Sequence, residues 1–346
     1  MARTPTVYRW DDPGAPDLNA IMPTANDKIL LFMHTVLKAC LVDGYGTKAA
    51  AGWTMPHEEF TSNGCRFVLR NSAGSGSLLY EGGMFSGGGN DLKATAVWAC
   101  SAVPSMDSPI NAWSYKTKYE DRDTVSGADF HKAGTFDVSA SDGWVVVANE
   151  NTVIFITGKS GVDFNASSSS APAAANSGVL IFGVMHDGLG GVANPEIGDF
   201  YIAGGVGGSY TGYSWYAGIG AAFTSTVGIT GLAKEGVHGY SYKKPQLERT
   251  YSPLSAWLPI PMVYMQYGAS APDGDSATRL HFSAMLPGIR KLILHPYNAA
   301  SLNEFMNNNA FEYGKSFSYL GGQWVVFKAL DDVVQVISLA PAEWGA

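Results

Sequence analysis

Residues 143–157, GWVVVANENTVIFIT, decide the fold class of this chain. Two runs of mostly β-branched and aromatic residues, 143–148 and 152–157, flank the polar residues 149–151. Such residues are enriched in strands, and a short polar connection between two such runs is typical of a β-hairpin. We therefore predict an antiparallel hairpin near the middle of the chain.

Similar β-prone runs occur on both sides of this segment. Beyond Trp53, short β-prone runs alternate with clusters of Gly, Ser and Asn, as expected of antiparallel sheets. A second hairpin is predicted from 324–327 and 333–337, with its turn at 331–332. The other predicted strands are 66–70, 77–80, 94–102, 179–185, 200–203, 262–266, 280–285 and 291–295. The glycine-rich stretch 204–226 is predicted to be an extended loop, because interior glycine disfavours a helix.

One helix is predicted, near the N-terminus. Thr24 with Asp27 resembles a capping box, and Gly44 can adopt the left-handed conformation that ends a helix. The opening segment 8–16 contains two prolines and a glycine, so we expect an ordered arm or loop there. Apolar residues with the spacing of one helical face are Ile29, Met33, Val36, Leu37 and Cys40.

These elements predict an α+β protein that is predominantly β, with antiparallel sheets in sandwich-like units, one amphipathic helix and long glycine-rich loops. A chain of 346 residues exceeds the usual size of one domain. Four prolines between 245 and 261 interrupt regular structure and favour a boundary there. We predict an N-terminal helix-plus-strands unit at 1–125, a β-rich middle unit at 126–250 and a C-terminal β unit at 251–346.

The composition favours assembly with other proteins. Charged residues make up 15% of the chain, against about 25% in a typical domain, and the chain has 9 Trp, 17 Tyr and 16 Phe. Interface cores are depleted in charge and enriched in aromatics, so we expect a homo-oligomer or a larger assembly. The alternative is a weakly charged monomer. A net charge of −8 disfavours nucleic acid as a partner.

No membrane insertion or export is expected. The longest apolar stretch, 29–42, is shorter than a bilayer span of about 20 residues. The start, MARTPTVY, lacks the apolar core of a secretory signal. Three widely spaced cysteines, Cys40, Cys65 and Cys100, are predicted to be buried thiols in a reducing compartment.

No catalytic, cofactor-binding or metal-binding residue is predicted. Seven histidines occur singly, and no pair has the spacing that places two metal ligands on one helical face. Adjacent acids such as Asp11–Asp12 are interpreted as solvated turn residues. An aromatic group set among small residues is a candidate surface for recognition or for subunit contact: Tyr210, Tyr213, Trp215 and Tyr216.

Three motifs stand out in residues 5–54: Thr-Val-Tyr at 6–8, Ala-Pro at 15–16, and LKACLVDGYGTKAAAGWT at 37–54. With these motifs the region resembles a family of tailed-bacteriophage structural proteins. The tryptophan strand at 144 and the Leu-Pro-Gly of 286–288 also resemble that family, whereas Ile289-Arg290 departs from its pattern. The residues assigned to this structural motif are Gly44, Tyr45, Gly46, Lys48, Gly52, Trp53, Pro287 and Gly288.

The resemblance implies a virion protein of the tail tip or baseplate, made in the host cytoplasm and contacting other tail proteins. It supplies no catalytic residue. In this hypothesis the glycines turn the backbone after the helix, while Tyr45 and Trp53 anchor that turn in the core. Two other functions stay open: binding of a host-surface glycan or protein through the aromatic group, and cleavage of a glycan.

Overall fold

The computed structural model describes residues 4–21, 25–61, 64–85, 92–110, 143–158, 178–184, 200–206, 216–220, 237–238, 258–267, 280–293, 314–319, 321–330 and 333–344. Within these ranges the chain forms three antiparallel sheets and a short helical region near the N-terminus. The predicted class, α+β and predominantly β, is confirmed.

The N-terminal region consists of β1 (Thr6–Arg9), α1 (Leu18–Ile21) and α2 (Ala25–Lys38), followed by a π-helical turn at Ala39–Asp43. The predicted helix is confirmed, and it begins four residues before Ile29. Its wider last turn was not predicted. Four of the five apolar positions predicted for its buried face are buried: Met33, Val36, Leu37 and Cys40.

Gly44 ends this helical region with φ 75° and ψ 171°. The positive φ agrees with the prediction, whereas the ψ value lies outside the left-handed helical region, in a conformation essentially restricted to glycine. Thr24 of the predicted capping box lies outside the described residues.

A four-stranded sheet follows, with the order β2-β3-β4-β5. Its strands are β2 (Thr54–Thr61), β3 (Gly64–Arg70), β4 (Ser77–Phe85) and β5 (Leu92–Cys100). The three predicted strands are confirmed. β2 was missed because Pro56, Glu58 and Glu59 disfavour a strand, and β2 tolerates them as a bulged edge strand.

A seven-stranded sheet has the order β1-β6-β7-β8-β9-β10-β11. The central hairpin is confirmed, with Ala148 paired to Val153. The strands are β6 (Gly143–Ala148), β7 (Thr152–Gly158), β8 (Gly178–Val184), β9 (Phe200–Val206), β10 (Tyr216–Gly220) and β11 (Val237–His238).

One prediction about this sheet is confirmed in part and another is wrong. The loop expected at 8–16 is present at 10–16, whereas Tyr8 and Arg9 belong to β1, which pairs antiparallel with β6 so that Thr6 faces Ala148. The extended loop expected at 204–226 contains the end of β9 and all of β10. Long-range ladder hydrogen bonds offset the low strand propensity of glycine there, which a local pattern does not reveal.

A five-stranded sheet has the order β12-β13-β16-β15-β14. Its strands are β12 (Leu258–Tyr267), β13 (Leu280–Ile293), β14 (Ser316–Tyr319), β15 (Gly322–Leu330) and β16 (Val333–Ser338). The second predicted hairpin is confirmed, although its turn at 331–332 lies outside the described residues. A 3₁₀ turn, Pro341–Glu343, follows β16.

Two details of this sheet differ from the predictions. Pro259 and Pro261 lie inside β12, because an edge strand can direct the missing N–H away from its neighbour. The strands predicted at 280–285 and 291–295 are one strand, β13, with a register shift where Pro287 and Gly288 lie.

One apolar core joins α2 to two sheets. Phe32 of α2 lies against Phe155 of β7, with ring centroids 5.7 Å apart, and His34 meets the ring of Phe67 on β3. The core cluster runs from Tyr8 to Phe200 and so includes residues on both sides of position 125. The division into three units at 125 and 250 stays a prediction.

An ion pair on the surface also joins α2 to β2. Glu58 Oε2 lies 2.9 Å from His34 Nε2 and accepts a hydrogen bond from Lys38 Nζ at 3.0 Å. The His34 hydrogen bond, followed by that of Lys38, lowers the pKa of Glu58 below its usual 4.5. A carboxyl whose pKa is lowered by folding adds stability above its unfolded pKa, and that contribution is lost as the pH falls through the folded value.

Replacing Glu58 by glutamine is therefore expected to lower the stability at pH 7 by a small amount that is lost as the pH falls through the folded pKa of Glu58. The measurement is the urea midpoint of wild type and Glu58→Gln from neutral pH down through the acidic range. Below that pKa both side chains are uncharged, so the two proteins serve there as each other's control. A constant difference at every pH would contradict the assignment.

Candidate functional site

Residues 45–48 form a tight turn directly after the helical region. Tyr45 N donates to Lys48 O at 3.0 Å, and Lys48 N donates to Tyr45 O at 2.8 Å. Gly46 within this turn has φ 54°, and a Cβ there would lie 2.1 Å from Pro13 O. A Cβ at Gly44 would lie 2.7 Å from Lys48 O. The backbone therefore passes too close to its neighbours for a side chain at either position.

Tyr45 and Lys48 converge on the carboxylate of Asp12. Asp12 Oδ2 accepts from the backbone N–H of Arg9 at 2.6 Å, from Tyr45 Oη at 2.8 Å and from Lys48 Nζ at 2.5 Å. The Asp12 side chain is only 14% exposed, so the interpretation of Asp12 as a solvated turn acid is wrong. We refer to Asp12, Tyr45 and Lys48 as the clamp.

The clamp closes the outer edge of β1. On the inner side β1 pairs with β6, and Trp10 N donates to Trp144 O. In an antiparallel strand alternate residues direct their N–H and C=O groups to opposite sides, so Val7 and Arg9 point away from β6. Lys48 Nζ donates to Val7 O at 2.5 Å, and Tyr45 Oη lies 3.3 Å from Arg9 O.

Side chains of the clamp thus occupy the places that a neighbouring strand would fill. An exposed edge strand is a template for pairing with another chain, and covering it removes that hazard. Two backbone groups are satisfied in this way, Val7 O and Arg9 N–H. Arg9 O accepts from the backbone N–H of Asp12 at 3.2 Å.

The electrostatics of the clamp suit a structural role. Burial, together with the hydrogen bond to Asp12, raises the pKa of Tyr45 far above its usual 10. Burial also raises the pKa of Tyr8 to about 12, and its hydroxyl donates to Ala49 O at 2.7 Å. Both phenols therefore remain protonated donors at neutral pH.

Replacing Lys48 by methionine tests how much the clamp contributes to stability. Lys48→Met should cost about 1–3 kcal/mol of stability, since it removes charge-assisted hydrogen bonds from a partly buried carboxylate and from Val7 O. Lys38→Met is the matched control, because its ion pair with Glu58 is surface-exposed and is expected to contribute less than about 1 kcal/mol. Urea unfolding measures both, and equal losses would contradict the structural importance of the clamp.

Trp53, at the other end of the motif, binds the central hairpin. Its indole Nε1 donates to Asn149 O at 2.8 Å, and its ring meets Phe182 and Phe200 edge-on. The preceding Gly52 N donates to Leu41 O at 3.1 Å, which ties the segment back to the π-helical turn. The motif therefore links the helical region to the turn of the β6–β7 hairpin.

Asn149 is the junction of three parts of the chain. Its side-chain Oδ1 accepts from the N–H groups of Asn151 and Thr152, both at 2.9 Å, which closes the hairpin turn. Its Nδ2 donates to Trp344 O at 3.4 Å. Its carbonyl receives the bond from Trp53. One buried asparagine thus binds the N-terminal motif, the central hairpin and the C-terminal segment.

Trp344 is buried against the five-stranded sheet. Its Nε1 donates to Ser338 O at 2.6 Å, and its ring covers Gly288, which has φ 65°. A Cβ at position 288 would lie 2.6 Å from the indole nitrogen. Nearby, a Cβ at Gly314 would lie 2.3 Å from Val145 Cγ2, so the C-terminal region also packs closely on β6.

The structure places the predicted motif residues in three groups. Tyr45 and Lys48 lie at the edge of β1, with Gly44 and Gly46 in the same turn. Trp53 bonds to the hairpin turn, and Gly52 before it bonds to the π-helical turn. Pro287 and Gly288 lie in β13, where Gly288 contacts Trp344. Three residues of the aromatic group lie outside the described residues: Tyr210, Tyr213 and Trp215. The fourth, Tyr216, begins β10, and its side chain is not described.

Sequence reasoning missed Asp12 and Asn149. The only sequence signal for Asp12 is its position before Pro13-Gly14, where the chain must turn and can direct one carboxylate inward. Asn149 was placed in a turn, and asparagine is favoured there because its side chain bonds to the backbone two residues on. Neither signal identifies the distant partners.

Comparison with known proteins assigns no family. The chain matches no family model and no curated protein. Among the described residues, no group of three or more His, Cys, Asp or Glu side chains is placed to hold a metal ion. The helices in the described ranges are all too short or too polar to cross a bilayer.

Proposed function

We propose that this chain is a structural component of a bacteriophage virion, located at the tail tip or baseplate, that works by packing against copies of itself and other tail proteins. One observation carries the proposal. The segment that resembles tailed-phage proteins, 37–54, is also the segment that fixes β1, the helical region and the central hairpin in one arrangement. A rigid subunit of this kind presents a fixed surface to its neighbours.

The chemistry of the described core supports a packing role over catalysis. The three cysteines are free and buried. Burial raises the pKa of Cys65 to about 12 and raises those of Cys40 and Cys100 as well, so these thiols are poor nucleophiles at neutral pH. Lys48 and Tyr45 are held by Asp12.

The scarcity of charge supports assembly. A surface on which ionised side chains are few is less soluble alone, and interface cores share this depletion. Contacts with neighbouring subunits would cover part of such a surface. The partners in this proposal are tail or baseplate proteins and further copies of the chain, and neither nucleic acid nor a bilayer.

The position of the chain in the particle tests the proposal. Peptides of this chain are expected in particles purified from a lysate by density-gradient centrifugation, at a constant ratio to the tail proteins. Antibody against the chain is expected to decorate one end of the tail in negative-stain images. A chain that is abundant in infected cells and absent from purified particles would overturn the proposal.

Experiments on the same particles distinguish the assembly hypothesis from the host-recognition hypothesis. A phage that carries Tyr213→Ala and Trp215→Ala is expected to assemble normally and to bind host cells as wild type does. Loss of host binding by otherwise complete tails would instead favour the recognition hypothesis. Release of sugar from host envelope by the purified chain would favour the glycan-cleaving one.

A further inference from the structure

The four-stranded sheet buries apolar side chains on both of its faces. One face, which includes Phe67 and Tyr80, belongs to the main core with α2. The opposite face carries a separate cluster: Val68, Leu79, Trp98 and Cys100, each at most 2% exposed. Among the described residues, those packed over this second cluster are Val103 and Met106.

Both covering residues belong to the segment 101–110, which closes on itself. Ser101 N and Ser101 Oγ each lie 3.0 Å from Ile110 O, to which they donate, and Ile110 N donates to Ala102 O at 2.8 Å. The two ends of the segment are therefore held together, as in a compact surface loop of the Ω type. Such a loop can move as one body about its closed ends. We refer to residues 101–110 as the strap.

The polar contacts between the strap and the sheet centre on Arg66 of β3. Arg66 Nη2 donates to Met106 O at 2.7 Å, and Nη1 donates to Asp107 Oδ1 at 2.9 Å. The Asp107 side chain is 79% exposed, so water and salt compete for this ion pair. A further contact joins His57 Nε2 to Val103 O at 3.1 Å.

Arg66 also has partners in the sheet itself, of which Glu81 is buried. Its Nε donates to Glu81 Oε1 at 3.1 Å, and Glu81 Oε2 accepts from Trp98 Nε1 at 3.1 Å. Glu81 is buried in the sheet. Arg66 can therefore release Asp107 and Met106 without leaving the buried carboxylate uncompensated, which removes the main cost of breaking such a contact.

We propose that the strap opens from the four-stranded sheet as a unit, with the main core intact, and that Arg66 is its releasable anchor. Local openings of this kind draw on regions with few buried apolar contacts. The strap contributes two partly buried apolar side chains to its cluster, whereas the opposite face of the sheet lies in the core that spans α2 and β6–β8. Opening removes the cover that the described residues provide for Trp98 and Cys100. This inference does not depend on the proposed function.

Cys100 makes the opening measurable. Burial raises its pKa, so the thiol is unreactive while the strap is closed. The test is pulsed alkylation of the folded full-length chain with iodoacetamide, with the labelled fraction of each cysteine counted by mass spectrometry of its peptide. Cys100 is expected to react at least about tenfold faster than Cys40, which lies in the main core.

Two variants locate the anchor. Asp107→Asn removes the exposed ion pair and is expected to raise the labelling rate of Cys100 about two- to fivefold, with Cys40 unchanged. Glu59→Gln is the matched control, because Glu59 also contacts Arg66, at 3.4 Å, but belongs to β2. Glu59→Gln is expected to leave the rate unchanged. Raising the salt concentration should accelerate wild type and have little effect on Asp107→Asn.

A further variant keeps the test decisive if the ion pair proves too weak to detect. Met106→Ala removes apolar contact between strap and sheet and is expected to accelerate labelling of Cys100 about tenfold. The proposal would be overturned if Cys40 and Cys100 were labelled at the same rate in every variant and if both rates rose with denaturant as global unfolding does. Acceleration of both cysteines by Met106→Ala would also overturn it, because the strap would then be part of the main cooperative unit.

Discussion

Replacing Gly46 by alanine is expected to lower the free energy of unfolding by about 2–5 kcal/mol. Two costs add. The left-handed backbone at φ 54° costs a residue with a Cβ about 1–2 kcal/mol. The new Cβ would also lie 2.1 Å from Pro13 O, so the turn at 12–14 must move away from it. That movement displaces Asp12, the acceptor on which Tyr45 and Lys48 converge.

The matched control is Gly321→Ala. Gly321 also has a positive φ, 74°, but a Cβ there meets no atom of the described residues within 4 Å. Its expected loss is the backbone cost alone, about 1–2 kcal/mol. Urea unfolding followed by tryptophan fluorescence gives both values. If the two variants lose the same free energy of unfolding, the turn at 12–14 accommodates the alanine side chain at position 46 freely. The clamp is then less rigid than its geometry implies.

The strands and the helix were predictable because their signals are local. The run of valines at 145–147 and the return run at 152–157 specify the central hairpin without reference to any other part of the chain. The spacing of Met33, Val36 and Leu37 specifies a buried helical face in the same way. Each pattern is repeated several times, so single weak positions do not change the outcome.

The partners of these elements were not predictable. β1 is four residues long, and nothing in Thr-Val-Tyr-Arg identifies Val145–Ala148 as its neighbour across the intervening sequence. The choice depends on the clamp, which satisfies the outer edge of β1 and leaves the inner edge to β6. A pattern with period two records which face is buried and carries no information about which strand lies beside it.

Only some residues of the candidate site could be predicted from the sequence, for a related reason. The motif glycines and aromatics are conspicuous in the sequence, whereas Asp12 and its neighbour Asp11 have the same side chain and adjacent positions. In the structure they differ completely. Arg9 lowers the pKa of Asp11 through a side-chain hydrogen bond at the surface, and Asp12 turns inward to the clamp. Only the location of residues 45–48 distinguishes the two carboxylates.

Trp344→Ala is expected to lower the free energy of unfolding by about 3–5 kcal/mol, the range found when a large aromatic side chain is deleted from a core. Trp344 is fully buried although it lies almost at the end of the chain. Its ring fills the space above Gly288, and its backbone carbonyl receives the Asn149 side chain. Trp344→Phe keeps most of the ring volume and loses the bond to Ser338 O, so its expected cost is smaller, about 1–3 kcal/mol.

A double-mutant cycle with Gly288 makes this prediction specific. In wild type, Gly288→Ala places a Cβ 2.6 Å from the indole nitrogen and also incurs the cost of φ 65°. In the Trp344→Ala background the steric conflict is gone, and only the backbone cost of about 1–2 kcal/mol remains. The double variant is therefore expected to be more stable than the sum of the two single losses predicts, by at least about 1 kcal/mol. Strict additivity in urea unfolding would show that Trp344 does not rest on Gly288, because a shared steric contact is what couples the two substitutions.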